Sequence, residues 1–238
     1  MELGKRLIFF IFSLLFAFNC DSDSIFQRFK DIDYKEIKEV FSNIKSNFNY
    51  VDIAKKKYNN DDIVGRLFIE SVDIDVPIVQ STDNNFYLDH DEYGNKNTVG
   101  SIFLDYRNNI DIDRKLLIFG HNSRTISTEF KKMEKFLSSS FFKELNNRKL
   151  LIETSNKISI YDISSVVIVT DDFQHMKLSF SQEEWKKHID WINKSSLYPV
   201  TGLSYDDDIL IMQTCFYEPD DSYLLIVAKK IKEAFHWK

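Results

Sequence analysis

Hydrophobic and polar positions keep three different rhythms along this chain. Residues 7–18 (LIFFIFSLLFAF) form an uncharged apolar run behind Lys5 and Arg6. Residues 22–60 are charged, and Ile37, Val40, Phe41, Ile44 and Phe48 recur at steps of three and four. That spacing lays one apolar stripe along a helix, which must dock on something. From Val64 the period shortens to β-rich runs: VGRLFIE, VDIDVPIV, SIFLD, KLLIFG, KLLIET, KISIYDISSVVIVT, DILIMQTC and YLLIVAKKI. Two helical patterns interrupt them. One covers about Glu129–Leu145, with Phe130, Met133, Phe136, Leu137 and Phe141 apolar. The other covers about Gln182–Lys194, with Trp185, Ile189 and Ile192 on one face and His188 on the polar face. Ser181 and Glu184 have the spacing of a capping box for this second helix. Short strands with few long helices predict a mostly β fold: a closed or nearly closed barrel of eight strands, with N-terminal helices and one helix inserted before the strand DILIMQTC. The chain divides into an export segment (1–20), a helical extension (21–60) and the barrel domain (61–238).

The apolar run of residues 7–18 rises about 18 Å as a helix, short of the roughly 30 Å of membrane hydrocarbon. Basic residues precede it and Asp21 and Asp23 follow it, which favours export over a buried N-terminal helix. The run reads as an uncleaved membrane anchor, with cleavage, or lipidation of Cys20 after Ala17-Phe18-Asn19, as alternatives. Everything beyond about residue 21 then lies outside the cytoplasm.

Composition narrows the chemistry. Lys plus Arg total 31 against 37 Asp plus Glu, a net charge of −6, which argues against a nucleic-acid partner. Six Gly and three Pro leave no phosphate-cradling loop and no Pro-rich segment. The acidic clusters Asp61-Asp62 and Asp206–Asp208 lack calcium-loop spacing and read as solvated turns, so no metal is assigned. Two cysteines exclude a disulfide scaffold or a zinc finger. With Cys20 at the membrane, Cys215 has no partner. It is either a reactive thiol or a buried inert one.

Cys215 ends an apolar strand, where a barrel presents groups to solvent, and a thiol there needs a base or cation nearby. His90 and His175 fall in loops, His188 on a helix and His236 in the tail. His121 directly follows the strand LLIFG, so it sits, like Cys215, where a strand opens into a loop.

Three segments in this order resemble the sortases, bacterial cysteine transpeptidases, and specifically class B. They are NNFYLDHDEYGNKNTVGSIFLDYRNN (84–109), LLIFGHN (116–122), and the stretch from Phe180 through WKKHIDWINKSSLYP to LIMQTC at Cys215. The resemblance runs from about residue 37 to the C-terminus. It implies a sortase-like barrel and a reaction in which Cys215 attacks a threonine carbonyl of a C-terminal sorting signal, giving a thioester. His121 would protonate the leaving amine. An amine of a peptidoglycan cross-bridge or lipid-linked precursor would then resolve the thioester, attaching a surface protein to the wall. No metal or organic cofactor is required. Asn84 and Leu88 match the segment that lines the family's peptide groove.

One position departs from the family. Sortases carry an Arg on the strand after the cysteine, about eight residues on, and eight residues past Cys215 stands Tyr223. The chain has no Arg after Arg148; Arg107 and Arg124 are the arginines near the matching motifs, and an alternative to Tyr223 is a Lys or an Arg swung in from elsewhere, with Arg124, three residues after His121, the better placed. A tyrosine offers one neutral donor where arginine offers up to five and a fixed charge. The chain therefore reads as a sortase with Tyr223 in the arginine's place. The alternative is a catalytically weak or inactive exported module that keeps the peptide groove. Papain-like enzymes, with Cys before His, and L,D-transpeptidases, with His-Gly-Cys, do not match Gln213-Thr214-Cys215.

Overall fold

The computed structural model describes residues 49–170, 173–198 and 202–235. The expected anchor, Cys20, His236 and the stripe from Ile37 to Phe48 lie outside the described residues. Among the described residues, no helix is long and apolar enough to cross a membrane.

All eight predicted strands form. They are β1 (Ile63–Ile69), β2 (Ile74–Val79), β3 (Phe103–Leu104), β4 (Lys115–Phe119), β5 (Lys149–Glu153), β6 (Lys157–Val169), β7 (Ile209–Phe216) and β8 (Ser222–Phe235). Hydrogen bonds close them into a barrel in the order β1-β2-β3-β4-β7-β8-β6-β5. The β2–β3 and β4–β7 pairs are parallel, and every other pair is antiparallel.

Alternation along the strands sorts side chains to two faces. Leu116, Ile118, Leu210, Met212, Leu224 and Ile226 point inward and pack with Leu67, Ile74, Ile152 and Ile163. Their neighbours Leu117, Ile211, Leu225 and Val227 point outward. Water is kept off this outer patch by α3 (Gln182–Ser195), which buries Trp185, Ile189 and Ile192 on it. Burial of each such side chain contributes on the order of 1.5–3 kcal/mol. The capping box of α3 forms as expected, with the Ser181 side chain accepting from Glu184 N and the Glu184 carboxylate accepting from Ser181 N. A shorter helix, α1 (Tyr50–Tyr58), is capped by Asn49 and seats Val51 and Ala54 against Ile63, Val79, Tyr87 and Phe103.

Two local expectations change. The helix expected over about Glu129–Leu145 is three pieces: a tight 3-10 run at Phe130–Leu137, α2 (Ser139–Lys143) and a turn at Leu145–Arg148. Ser138 makes the break, because its extended backbone ends the first run while its hydroxyl caps α2 at Phe141 N. His188 is not on a polar face; it is buried. It lies three residues after Trp185 and four before Ile192, which is the apolar stripe of a 3.6-residue helix. Its partner is the buried Lys115, whose Nζ donates to His188 Nε2 (2.9 Å) and to the carbonyls of His175 (2.8 Å) and Lys177 (2.7 Å). Burial and the nearby Lys115 charge push His188 down to about 3, so it stays a neutral acceptor. The Asp206–Asp208 turn is tied through Asp208 to Arg114 and Lys230.

Candidate active site

Strand register brings the three predicted reactive residues into one row. In the parallel pair, Phe119 of β4 stands opposite Gln213 of β7. The pairing continues past the strand end: Gly120 N donates to Gln213 O (3.2 Å), Thr214 Oγ1 to Gly120 O (2.8 Å) and Asn122 Nδ2 to Cys215 O (3.0 Å). His121 therefore stands abreast of Cys215. On the other side, Cys215 pairs with Tyr223 of β8. All three share the parity of the outward residues Leu117, Ile211 and Leu225, so they continue that outer face, with Tyr223 packed against the edge of the patch that α3 covers.

The His121 position is built by polar bonds. Its Nε2 lies 2.7 Å from the Leu88 carbonyl oxygen. A carbonyl only accepts, so Nε2 carries the hydrogen and Nδ1 is left to exchange a proton. Two glycines make room for this. Gly100 has φ +62°, and a Cβ there would lie 2.6 Å from the carbonyl oxygens of both Leu88 and Tyr87. At Gly120 a Cβ would meet Ile102 Cδ1 at 2.4 Å and the Phe130 ring at 2.7 Å. The next residue, Asn122, is buried, and its Nδ2 joins Glu134 (2.7 Å) to the Cys215 carbonyl.

Cys215 is half-buried and free. Burial pushes its thiol up, partly offset by its own backbone N–H, so the resting group near neutral pH is a neutral thiol. Tyr223 meets the exposed Phe173 ring edge-on, with centroids 6.0 Å apart. One step along β7, Gln213 Oε1 accepts from His175 Nε2 (2.8 Å). Arg124, in the loop after β4, reaches the β7–β8 loop. There its Nη2 donates to the Tyr217 carbonyl (2.9 Å) and to Asp220 Oδ1 (2.6 Å).

Known proteins carry this architecture. No protein-family model matches the chain. Sortase B of Listeria monocytogenes is 32% identical over 164 residues, 68% of this chain and 65% of that protein, so the match spans just under two thirds of the relative's length. The solved structure of Clostridium perfringens sortase B is 31% identical with a TM-score of 0.69, covering 76% of this chain and 99% of that one. The chain belongs to the class B sortases. Sortase B of Staphylococcus aureus, 22% identical, aligns over 95% of both chains.

In this sortase the two residues expected to bind substrate separate. Leu88 is beside the row: its carbonyl holds His121 and its side chain is exposed. Asn84 is committed elsewhere, donating to Asp105 Oδ2 (3.0 Å) and accepting from Tyr106 N (3.0 Å). Both ends of its amide thus brace the loop beside β3. Sequence reading missed Asn122 as the tie between His121's loop and Cys215. It also missed Phe173 and His175 as neighbours of the row. The Asn following His121 was the visible signal for the first. Contacts across long chain separations, His175 to Gln213 and Phe173 to Tyr223, carry the rest.

Proposed function

We propose that this sortase is an exported cysteine transpeptidase that cuts a C-terminal sorting signal after Thr and joins the released acyl group to a cell-wall amine. The single observation behind this reading is the row of His121, two residues past the end of β4, with Cys215 of β7 and Tyr223 of β8. The Cys215 proton passes to His121 Nδ1, and the thiolate attacks the threonine carbonyl carbon, forming an S–C bond. The peptide C–N bond breaks, and the leaving amine takes the proton from His121. An acceptor amine then attacks the thioester. Its proton returns through His121 to the departing sulfur, so the enzyme ends unchanged. A peptidoglycan cross-bridge or a lipid-linked precursor supplies the acceptor amine, and surface proteins with sorting signals are the donors. Residues 7–18 hold the enzyme at the cell membrane with its barrel outside.

A second reading is favoured by one observation: the arginine position holds neutral Tyr223. On that reading the groove binds sorting peptides but acylates slowly or not at all. The test incubates the full-length chain, purified in detergent, with a pool of Thr-containing sorting peptides and follows intact mass. An adduct absent from Cys215→Ala supports the transpeptidase. Peptide binding without adduct supports the binding module.

A further inference from the structure

We propose that Arg124 is the catalytic guanidinium of this site, delivered from the loop after β4 across the end of β7 rather than from β8. The inference rests on the transpeptidase reading. Attack by Sγ on a carbonyl carbon moves electrons onto its oxygen, and a charge-assisted hydrogen bond to that oxygen is roughly twice as strong as a neutral one. Tyr223 offers no charge. Its ring is one wall of an aromatic contact with Phe173.

The other arginines among the described residues are committed. Arg66 holds both carboxylate oxygens of Asp75. Arg107 is bound twice to the fully buried Asp105. Arg148 is buried beside Asp162. Arg114 precedes β4, at the strand end away from His121, and stacks on Trp185. Arg124 differs in both place and partners. It lies three residues after His121 and touches the carbonyl of Tyr217, two residues past Cys215. Its guanidinium sits over the Tyr217 ring, 4.6 Å from the centroid. Tyr217 Oη donates to the Asn122 carbonyl (2.8 Å), and Asn122 Nδ2 donates to the Cys215 carbonyl. The platform under the guanidinium is thus tied to the nucleophile's own backbone and to the residue next to His121.

Arg124's one charged partner is weak. Arg124 and Asp220 side chains are 58% and 79% exposed, so the pair is screened by water and salt. A carbonyl oxygen gaining charge beside the half-buried thiol is the better acceptor, and Arg124 exchanges Asp220 for it. The guanidinium donates a hydrogen bond and keeps its proton throughout. When the tetrahedral intermediate collapses, the amine leaves with the His121 proton and Arg124 is unchanged.

The experiment compares acylation rates of full-length variants in detergent, using the same Thr-containing peptide pool and intact mass. Arg124→Ala is expected to slow acylation on the order of 100-fold, the cost of one lost oxyanion donor. Arg124→Lys recovers part of that loss, as does millimolar guanidinium added to Arg124→Ala. Asp220→Asn removes the charge from the same loop bridge but leaves the guanidinium, so it keeps at least the wild-type rate. Tyr223→Arg in the Arg124→Ala background restores a guanidinium and raises the rate. Equal losses in Arg124→Ala and Asp220→Asn would make Arg124 a loop strap and overturn the proposal, as would an unchanged Arg124→Ala. A folded wild type that acylates with no peptide overturns the transpeptidase reading itself, and this inference with it. That failure is distinguishable, because the others occur in an active wild type.

Discussion

The two flanks of Cys215 are built from different materials. On the β4 side, directional bonds fix the geometry: Leu88 O holds His121 Nε2, and Asn122 ties the following residue to the Cys215 carbonyl and to Glu134. On the β8 side, Tyr223 has a strand partner and an aromatic contact with Phe173, and carries no charge. Hydrogen bonds fix an orientation within tens of degrees, whereas an edge-to-face ring contact fixes a surface. On the proposed mechanism the proton moves on the oriented flank, and the neutral wall stands where a carbonyl oxygen would gain charge, which leaves the demand for a cation to the loops.

The largest effect comes from breaking the oriented flank. His121→Ala is expected to slow single-turnover acylation about 10²- to 10⁴-fold, the usual span for a general acid. The melting temperature should barely move, because the ring is not in the barrel core. An unchanged rate would mean the row is not the reacting unit.

A second change attacks the same flank from its support. Gly100→Ala puts a Cβ within 2.6 Å of the carbonyl that holds His121, at φ +62°. The left-handed backbone alone costs about 1–2 kcal/mol for a residue with a side chain. With the clash added, a loss of about 2–3 kcal/mol is expected in urea unfolding, with acylation falling in parallel as the Leu88 carbonyl shifts. Stability lost with acylation intact would show that His121 is oriented by something other than Leu88.

The β8 flank answers in the opposite direction. Tyr223→Arg places a charge abreast of Cys215 and is expected to raise the acylation rate about tenfold. Tyr223→Phe removes at most one neutral hydrogen bond, a change of only a few fold. A clear fall in Tyr223→Arg would remove Tyr223 from the guanidinium position.

The contrast between the flanks also separates what the sequence displays from what it hides. The strands are legible because each is an apolar-rich run, most of them short, and counting eight residues from Cys215 finds Tyr223 whatever surrounds it. His121 and Cys215 are legible as strand ends. The supports are not, because they are contacts across long chain separations. No local pattern announces that Leu88 O will meet a ring 33 residues on, or that Lys115 will sit beneath His188. Asn84 shows another side of this: the residue matches a groove motif, and its amide also braces Asp105 and Tyr106, contacts that no local pattern announces. Ser138 broke an apparently continuous apolar helix because a hydroxyl that can cap the next turn competes with the helix it interrupts.

The smallest expected effect tests whether the neutral wall sets the state of the thiol. Burial is the main reason the Cys215 thiol lies above its ordinary value. Below its pKa, a thiol yields about ten times more thiolate per pH unit, and the thiolate is the species that alkylates. The iodoacetamide rate of the wild type should therefore keep climbing with pH beyond the ordinary thiol range. Phe173→Ala strips the ring that lies against Tyr223 and admits water to that side of the row. Hydration favours the charged form, so the pKa falls. Alkylation near neutral pH is therefore expected to be a few fold faster. The same variant should leave α3 and its capping box intact, because Phe173 lies outside the patch that Trp185, Ile189 and Ile192 cover. Identical alkylation curves for Phe173→Ala and wild type would move the source of the burial to the β4 flank, and with it the distinction between an oriented side and a merely apolar one.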